Sequence, residues 1–501
     1  MGMERINEYL LTLQNKHDIP VNICANAQVK IEKNAVQELC ELLELAESVQ
    51  NIQKQDKSFF DTPPQINQIA ITPDFHKGRG VPIGTVMQTQ GFVSPQAIGK
   101  DVNCGIRFYT TDLCPNKIRE NFGKLSQQIR HVFFEGGRQI PMNRTQRESI
   151  FKEGLLGLLN THKIANDKGL WQYYRAQKQE QELNRVNENG SLITEHIFAL
   201  QDFLGKKELS YDDQIGSIGG GNHFVEVQKV KKIYDNKTAY AWGVKKDQVV
   251  VMIHTGCVSI GYPTGTFFSK IAQEIYPKKL PYPHNKIFIL PQSEKYQKYW
   301  NFFWASLYNA ANFAFANRLF LGLMLEKCMH EALGSANFDL VYDTGHNIVN
   351  EMDGYFIHRK GANPARGVEQ MVNTPFAYYG EPVMIPGSMG SSSFLMCGKG
   401  QQKILSSASH GAGRSLSRGQ AVRHEEKQFR EFMEKFKIIT PVDPTRQDLK
   451  SRPDILKKWE EEIKKEAPYA YKDISGVIDS QVQADMVNKV AELQPIFTIK
   501  G

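Results

Sequence analysis

The sequence predicts an α+β fold: one large domain with a β-sheet core, into which helical segments are inserted. Three observations predict it. Short β-type runs recur from residue 69 to residue 396, several of them stopping at a histidine beside glycine and small polar residues. Helix-type stretches fall in blocks, near 115–210, 268–335 and 423–471, rather than alternating one-for-one with strands. No internal repeat, low-complexity linker or composition break divides the 501 residues.

Taken in order, Val36 to Val49 carries leucines and acids at helical spacing and predicts a helix. From Ile69 to Val93, apolar pieces alternate with Gly and Pro, which reads as strands and tight loops. Ile106 to Tyr109 is a strand after the Asn103-Cys104-Gly105 turn. The Gln/Glu/Asn-rich stretch from Gln177 to Asn189 reads as a solvated helix or connector. Phe224 to Val230 alternates as a strand, and Gln248 to Ile253 and Phe338 to Tyr342 are more continuously apolar strands. Between the last two, aromatic- and alanine-rich Tyr296 to Leu333 is a long buried helix or helix pair. Pro382 to Ile385 and Ser393 to Met396 are strands, and Ile455 to Glu466 is an amphipathic helix. The closing Pro495 to Gly501 is apolar apart from Thr498 and Lys500; docked on the body, it would fix where that ammonium goes.

An apolar content of 41% and a charged content of 23% are those of a soluble globular protein. No apolar run approaches the roughly 20 residues of a membrane-spanning helix, and the first residues carry no secretory signal. Seven scattered cysteines form no disulfide framework, so a cytoplasmic, reduced protein is expected. The net charge of +7 is compatible with a polyanionic partner without requiring one.

The chemistry-bearing residues cluster at predicted strand ends. His254 closes Val-Val-Val-Met-Ile-His, His346 closes Asp-Leu-Val-Tyr-Asp-Thr-Gly-His, and His223 follows Gly219-Gly220-Gly221-Asn222 just before a strand. Asp101 and Cys104, three residues apart in a turn, add a hard carboxylate and a soft thiolate. Five such donors are too many for one tetrahedral ion and suit two neighbouring metals sharing Cys104, with Zn²⁺, Mn²⁺, Co²⁺ or Fe²⁺ all permitted. Ser406 to Ser415 contains His410-Gly411-Ala412-Gly413-Arg414: an imidazole nucleophile in a loop of little bulk whose backbone N–H groups suit phosphate, with Arg414 as a further phosphate cation. Ile385 to Ser393, a strand end and a loop of small hydroxyl residues, suits nucleotide contacts.

These motifs stand in the order Asp101-Val-Asn-Cys104-Gly, Gly221-Asn222-His223-Phe224-Val225-Glu226-Val, Met252-Ile-His254-Thr-Gly, Val341-Tyr-Asp-Thr-Gly-His346-Asn347, Ile385-Pro386-Gly387-Ser388-Met389-Gly, Ser409-His410-Gly411-Ala412-Gly413-Arg414 and Ile499-Lys500-Gly501. Together they resemble the RtcB family of GTP-dependent RNA ligases, which act in tRNA splicing and RNA repair, and His76-Lys77-Gly78-Arg79-Gly80 matches that family's early histidine-glycine motif. The resemblance implies two Mn²⁺ ions, one on Asp101, Cys104 and His223, the other on Cys104, His254 and His346. It implies GTP as co-substrate, His410 as the guanylylated nucleophile, and RNA as partner, either tRNA halves or cleaved ends. Guanylate contacts are implied at Asn222 to Glu226, His346, Asn347, Pro386 to Met389, Ser393, His410 to Gly413 and Lys500. Fully extended, Asn222 to Glu226 would span about 13 Å, enough to reach from phosphate to guanine. A regular strand would then turn His223 to the opposite face, so the glycines before it must break the regularity. No activating protein partner is identified. The competing readings are a dinuclear metal-dependent phosphoesterase, which leaves the His410 stretch without a task, and an RNA-binding paralogue that has lost catalysis.

The chain departs from the family around the RNA end. Cys257-Val258 stands where Ser-Arg is expected, removing a cation implied to hold the RNA terminal phosphate. Lys100 replaces an aromatic, and Asn363 to Arg366 is reshaped; Lys100 and Arg366 are the candidate replacements.

Overall fold

The computed structural model describes residues 2–165, 167–424 and 426–501. In chain order, strands β1 (Met3–Arg5), β2 (Leu10–Leu13) and β3 (Val21–Cys24) lead to helices α1 (Lys33–Leu43) and α2 (Leu45–Gln55). The single helix expected at Val36 to Val49 is thus two, meeting at Glu44. The break lets Leu39, Leu42 and Leu43 of one helix and Leu45, Val49 and Ile52 of the other all reach the core.

Next come β4 (Gln65–Arg79) and β5 (Val81–Gln90), a long antiparallel pair turning at Gly80, whose φ is 79°. They are longer than the short pieces expected. Pro73 and Gly78 are absorbed at register irregularities between Ile71 and His76 and between His76 and Arg79, where a missing ladder bond costs nothing further.

Then follow β6 (Gly105–Thr111), β7 (Phe224–Ile233), β8 (Val249–Thr255), α3 (Gly261–Ile275), α4 (Gln297–Leu333), β9 (Phe338–Gly345), β10 (Asn347–Met352) and β11 (Tyr355–Lys360). The last part holds β12 (Pro382–Ile385), β13 (Ser393–Gly398), α5 (Glu426–Lys435), β14 (Lys437–Ile439), α6 (Pro453–Lys465) and β15 (Val487–Ile499). The stretch from Gln177 to Asn189 is a short helix and two 3₁₀ turns. It is partly buried rather than solvated, because Glu182 turns inward to accept the Leu340 N–H.

Two sheets carry the site. The first runs β1-β2-β3-β4-β5-β11-β10, and the second β9-β6-β8-β7-β15-β13-β12, with β14 alongside β15 in parallel. α4 is one helix of 37 residues, about 55 Å long, buried nearly all round and stopped by Gly334 in the left-handed conformation. It covers the face of the second sheet that presents Val225, Val227, Val251 and Ile253, while Phe108, Phe224 and Met252 pack on the opposite face. β9 belongs to the second sheet and β10 to the first, and the only residue between them is His346. The chain crosses between sheets at a candidate metal ligand. The carboxyl-terminal tail is docked as expected, β15 lying between β7 and β13.

Candidate metal and nucleotide site

The five donors predicted from sequence converge at one end of the second sheet. Register brings them together: His254 lies opposite Phe224 on β7 and Ile106 on β6, and the His346 N–H donates to the Cys104 carbonyl at 2.7 Å. Asn103 takes a left-handed φ of 53° to make the turn that delivers Cys104. A side chain at Gly105 would collide with the Thr344 carbonyl opposite, so glycine lets β6 and β9 approach closely here. His223 is not part of a regular strand. β7 starts at Phe224, Gly219 and Gly221 take φ of 82° and 72°, and the imidazole swings to the metal end.

Cys104 belongs to two groups of three donors whose ligand atoms lie within 4.8 Å of one another: Asp101, Cys104, His223 and Cys104, His254, His346. Cys104 Sγ lies 3.3 Å from His223 Nε2 and 3.4 Å from His254 Nε2, which is itself 3.3 Å from His346 Nε2. Those spacings are the edges of a coordination polyhedron with metal–ligand bonds of about 2.0–2.3 Å. His223 donates from Nδ1 to the Ile218 carbonyl at 3.1 Å, leaving its Nε2 lone pair facing inward, 2.8 Å from Asp101 Oδ2. That Asp101 oxygen has no hydrogen-bond donor. Burial, reinforced by neighbouring imidazoles, holds His254 and His346 far below the usual range, so both are neutral and ready to ligate. Burial opposes ionisation of Asp101, but the adjacent His223 and the Cys104 and Cys257 thiols outweigh it and hold the carboxyl at about 2. Burial, with Asp101 alongside, pushes the Cys104 thiol well up, so a metal must displace its proton. A buried cluster of soft and borderline donors whose lone pairs face one another fits two divalent ions.

His410 follows the strand pair Ala362–Pro364 and Ser407–Ser409, with its ring centroid 4.9 Å from that of His346. Its Nδ1 lies 2.5 Å from Asp74 Oδ2, and its backbone N–H donates to the same oxygen at 3.2 Å. Sequence reasoning missed Asp74. It is fully buried in the irregular part of β4, two residues before His76, where no periodicity marks it. Burial would raise its carboxyl. The charge and hydrogen bond of His410 and the Thr72 hydroxyl reverse that and hold it below the ordinary value. The carboxylate therefore keeps the His410 proton on Nδ1 and leaves the Nε2 lone pair free.

A cleft of about 1280 Å³ opens over both groups. Asn222, Phe224, Asn347, the Pro386 to Met389 turn, the Gly411 to Gly413 loop and Lys500 line it. Asn347 also ties the cleft floor, bonding the Asp101 carbonyl and the Gly361 N–H. Three predicted contacts stand back from it. Val225 turns into the core on the far face of the sheet. Ser393 is fully buried, accepts the Gly387 N–H at 3.2 Å and receives the Gln228 amide. Glu226 is held by Thr498 and Gln228 behind the wall, and burial raises its carboxyl to about 7. Lys500 donates to the Gly221 carbonyl, and burial lowers its ammonium to about 8.

Two expected cations are committed elsewhere. Arg414 is not a free phosphate ligand: its Nε, Nη1 and Nη2 donate to the Leu416 carbonyl, Glu466 and the Lys465 carbonyl, and it stacks on Tyr471. It is a strut fixing the loop after His410. Arg366 is locked on buried Glu381 and Tyr342, away from the cleft, which removes it as a replacement for the missing cation. Val258, at φ 45°, instead offers its backbone N–H to Asp101 Oδ1 at 3.3 Å. Lys100 stays exposed at the cleft edge beside Tyr262, joined there by Lys30, Lys33, Lys77, Arg79 and Arg418. Glu38 of α1 accepts the N–H groups of Gly78 and Gly80 and so holds the loop bearing Lys77 and Arg79.

Residues 57–501 match the family model described as tRNA-splicing ligase RtcB. A protein named tRNA-splicing ligase RtcB from Thermococcus kodakarensis is 32% identical over 86% of this chain and 87% of its own length. One of the same name from Nanoarchaeum equitans is 29% identical over 100% of this chain and 99% of its own. The RNA-splicing ligase RtcB of Mycobacterium bovis is 31% identical over 86% and 96%.

Proposed function

This chain belongs to the RtcB family of tRNA-splicing ligases, and on that premise we propose that it joins RNA ends by way of a guanylylated His410. The observation that supports this most is the Asp74–His410 pair, which frees Nε2 beside the five-residue donor cluster, the His410 ring lying 4.9 Å from that of His346.

His410 Nε2 attacks the α-phosphorus of GTP; a P–N bond forms and the P–O bond to pyrophosphate breaks. Asp74 balances the positive charge this places on the imidazole. An oxygen of an RNA 3′-phosphate, opened by water where it begins as a 2′,3′-cyclic phosphate, then takes the guanylate and breaks the P–N bond. A 5′-hydroxyl attacks the activated 3′-phosphorus, the phosphodiester forms and GMP leaves. Two ions held by Asp101, Cys104, His223, His254 and His346, assigned as Mn²⁺, would neutralise phosphate charge when bound. Phe224 and the Pro386 to Met389 turn flank the nucleotide, with Glu226 and Ser393 supporting from behind. The RNA, tRNA halves or cleaved ends, follows the exposed cations of the cleft edge, and the cytoplasm is the expected compartment. A phosphoesterase using the same donors would give the buried Asp74–His410 pair no role.

The test is joining of a strand ending in 2′,3′-cyclic phosphate to one beginning with 5′-hydroxyl. Product that requires GTP and Mn²⁺ and disappears in His410→Ala supports the reading; product that is independent of GTP refutes it.

A further inference from the structure

α4 is apolar along most of its length, yet it carries Asn317 and Arg318 side by side, both fully buried, at the point where it passes beneath the donor cluster. Arg318 Nη1 donates to the Asn103 carbonyl at 2.7 Å and to the Thr255 carbonyl at 3.0 Å. Asn103 precedes Cys104, and Thr255 follows His254. Asn317 donates to the Ser217 carbonyl at 2.9 Å and the Gly256 carbonyl at 3.2 Å, and accepts the Ser217 N–H at 2.9 Å. The next residue, Ile218, supplies the carbonyl that orients His223, and the same carbonyl accepts the Thr255 hydroxyl at 2.7 Å.

Two adjacent side chains of one helix therefore grip the backbone beside Cys104, His254 and His223. These are a strand end and two turns, where the ladders stop, and their buried carbonyls have to be met by a donor. Arg318 is in turn fixed by Asp343, whose Oδ1 accepts from Arg318 Nε at 2.8 Å and whose Oδ2 accepts from Arg107 Nη1 at 2.9 Å. A residue needed only to fill the core would be apolar here, as most of its helix neighbours are.

We propose that Asn317 and Arg318 are positioning residues for the metal pair: a clamp on the rigid helix that sets the spacing of the three backbone segments delivering Cys104, His254 and His223. The inference rests on the reading of those residues as ligands, and neither GTP nor RNA enters its test. A lysine at position 318 keeps the charge but cannot span two carbonyls and a carboxylate as the guanidinium fork does. Asp343 keeps Arg107 as partner in that variant.

Co²⁺ serves as a spectroscopic probe, because its visible bands report geometry and its near-ultraviolet thiolate band reports the bond to cysteine. Arg318→Lys and Asn317→Ala, checked for a cooperative thermal transition, are titrated with Co²⁺ beside the wild type. The expected result is a 10- to 100-fold weaker Co²⁺ affinity for Arg318→Lys with a diminished thiolate band, and a smaller loss for Asn317→Ala. Folded variants with wild-type affinity and spectrum overturn the clamp and leave the ligand assignment standing; should Arg318→Lys fail to fold, Asn317→Ala decides by itself. A folded wild type that takes up no Co²⁺ overturns the ligand assignment and the clamp together.

Discussion

At the scale of single residues, the site rests on a division of labour between two histidine environments. His254 and His346 are neutral because they are buried, while His410 is given a direction by Asp74. Asp74→Asn would remove the charge that balances the modified imidazole and free the ring to rotate. Guanylylation should slow by about 10²-fold or more while metal content stays normal; a normal rate would show that Asp74 only fills space. Cys104→Ser should lose both metals together, since its sulfur belongs to both donor groups; loss of one metal alone would contradict the sharing. The high position of the Cys104 thiol adds a pH prediction: metal binding releases its proton, so apparent metal affinity should rise with pH, and isothermal titration in buffers of different ionisation enthalpy should detect the proton.

Glu226 supplies the second pH dependence. Its carboxyl is raised from 4.5 to about 7 by burial, so the folded protein prefers it protonated. Its contribution to stability is then present below about 4.5 and lost as pH rises through about 7. The thermal midpoint of nucleotide-free protein should accordingly fall across that window by an amount that Glu226→Gln removes. Equal pH profiles for the two proteins would contradict this. The residues that sequence alone brought forward were the candidate ligands, because they sit in small-residue turns at the ends of predicted strands. Asp74 was hidden in an irregular strand, and Arg414 carried the right chemistry for phosphate but is consumed by Glu466 and two carbonyls.

At the scale of elements, β6, β7, β8, β9, β12 and β13 were legible because alternation or continuous apolarity marks them, and Pro382–Ile385 ends where the pattern does, whereas β10, β11, β14 and β15 carry no such mark and were not read as strands. The break between α1 and α2 and the length of β4 and β5 were not, since both depend on which tertiary partner absorbs a bend or a proline. The loop after His410 shows how closely elements are fitted. Gly413 has φ 74°, and a side chain there would run into the Asp74 carbonyl of β4. Gly413→Ala should cost about 1–3 kcal/mol in backbone strain and push the Asp74–His410 pair apart. Guanylylation should fall more than stability does, and a thermal melt read beside a labelling rate checks it. α5 and α6 have a small core of their own, in which Phe429, Phe436 and Ile463 enclose Met389 of the Pro386 to Met389 turn. The charged composition of that segment announced helices but not that they pack behind Met389, which lines the cleft.

At the scale of the whole molecule, the site exists because two sheets meet. The second sheet brings Cys104, His223 and His254, the first brings Asp74, and His346 is the residue on which the chain passes from one to the other. No single element holds the site, which is why motifs scattered over more than 300 residues of sequence had to be read together. Among the described residues no helix is long and apolar enough to cross a membrane. The departure at Val258 belongs to this scale too, because the RNA must bridge the cleft edge: guanylylation should be intact, while joining of 3′-phosphate ends should be slower than in Val258→Arg. Equal joining rates would show that Lys100 and its neighbours already suffice.

The central claim is that His410 bonds covalently to guanylate beside a metal pair. Incubation with GTP labelled at the α-phosphate and Mn²⁺, followed by mapping of the modified peptide, tests it most directly. Acid-labile label on the peptide containing His410, absent from His410→Ala and lost on chelation, is the predicted result. Label on another residue, or equal label on wild type and His410→Ala, would contradict it.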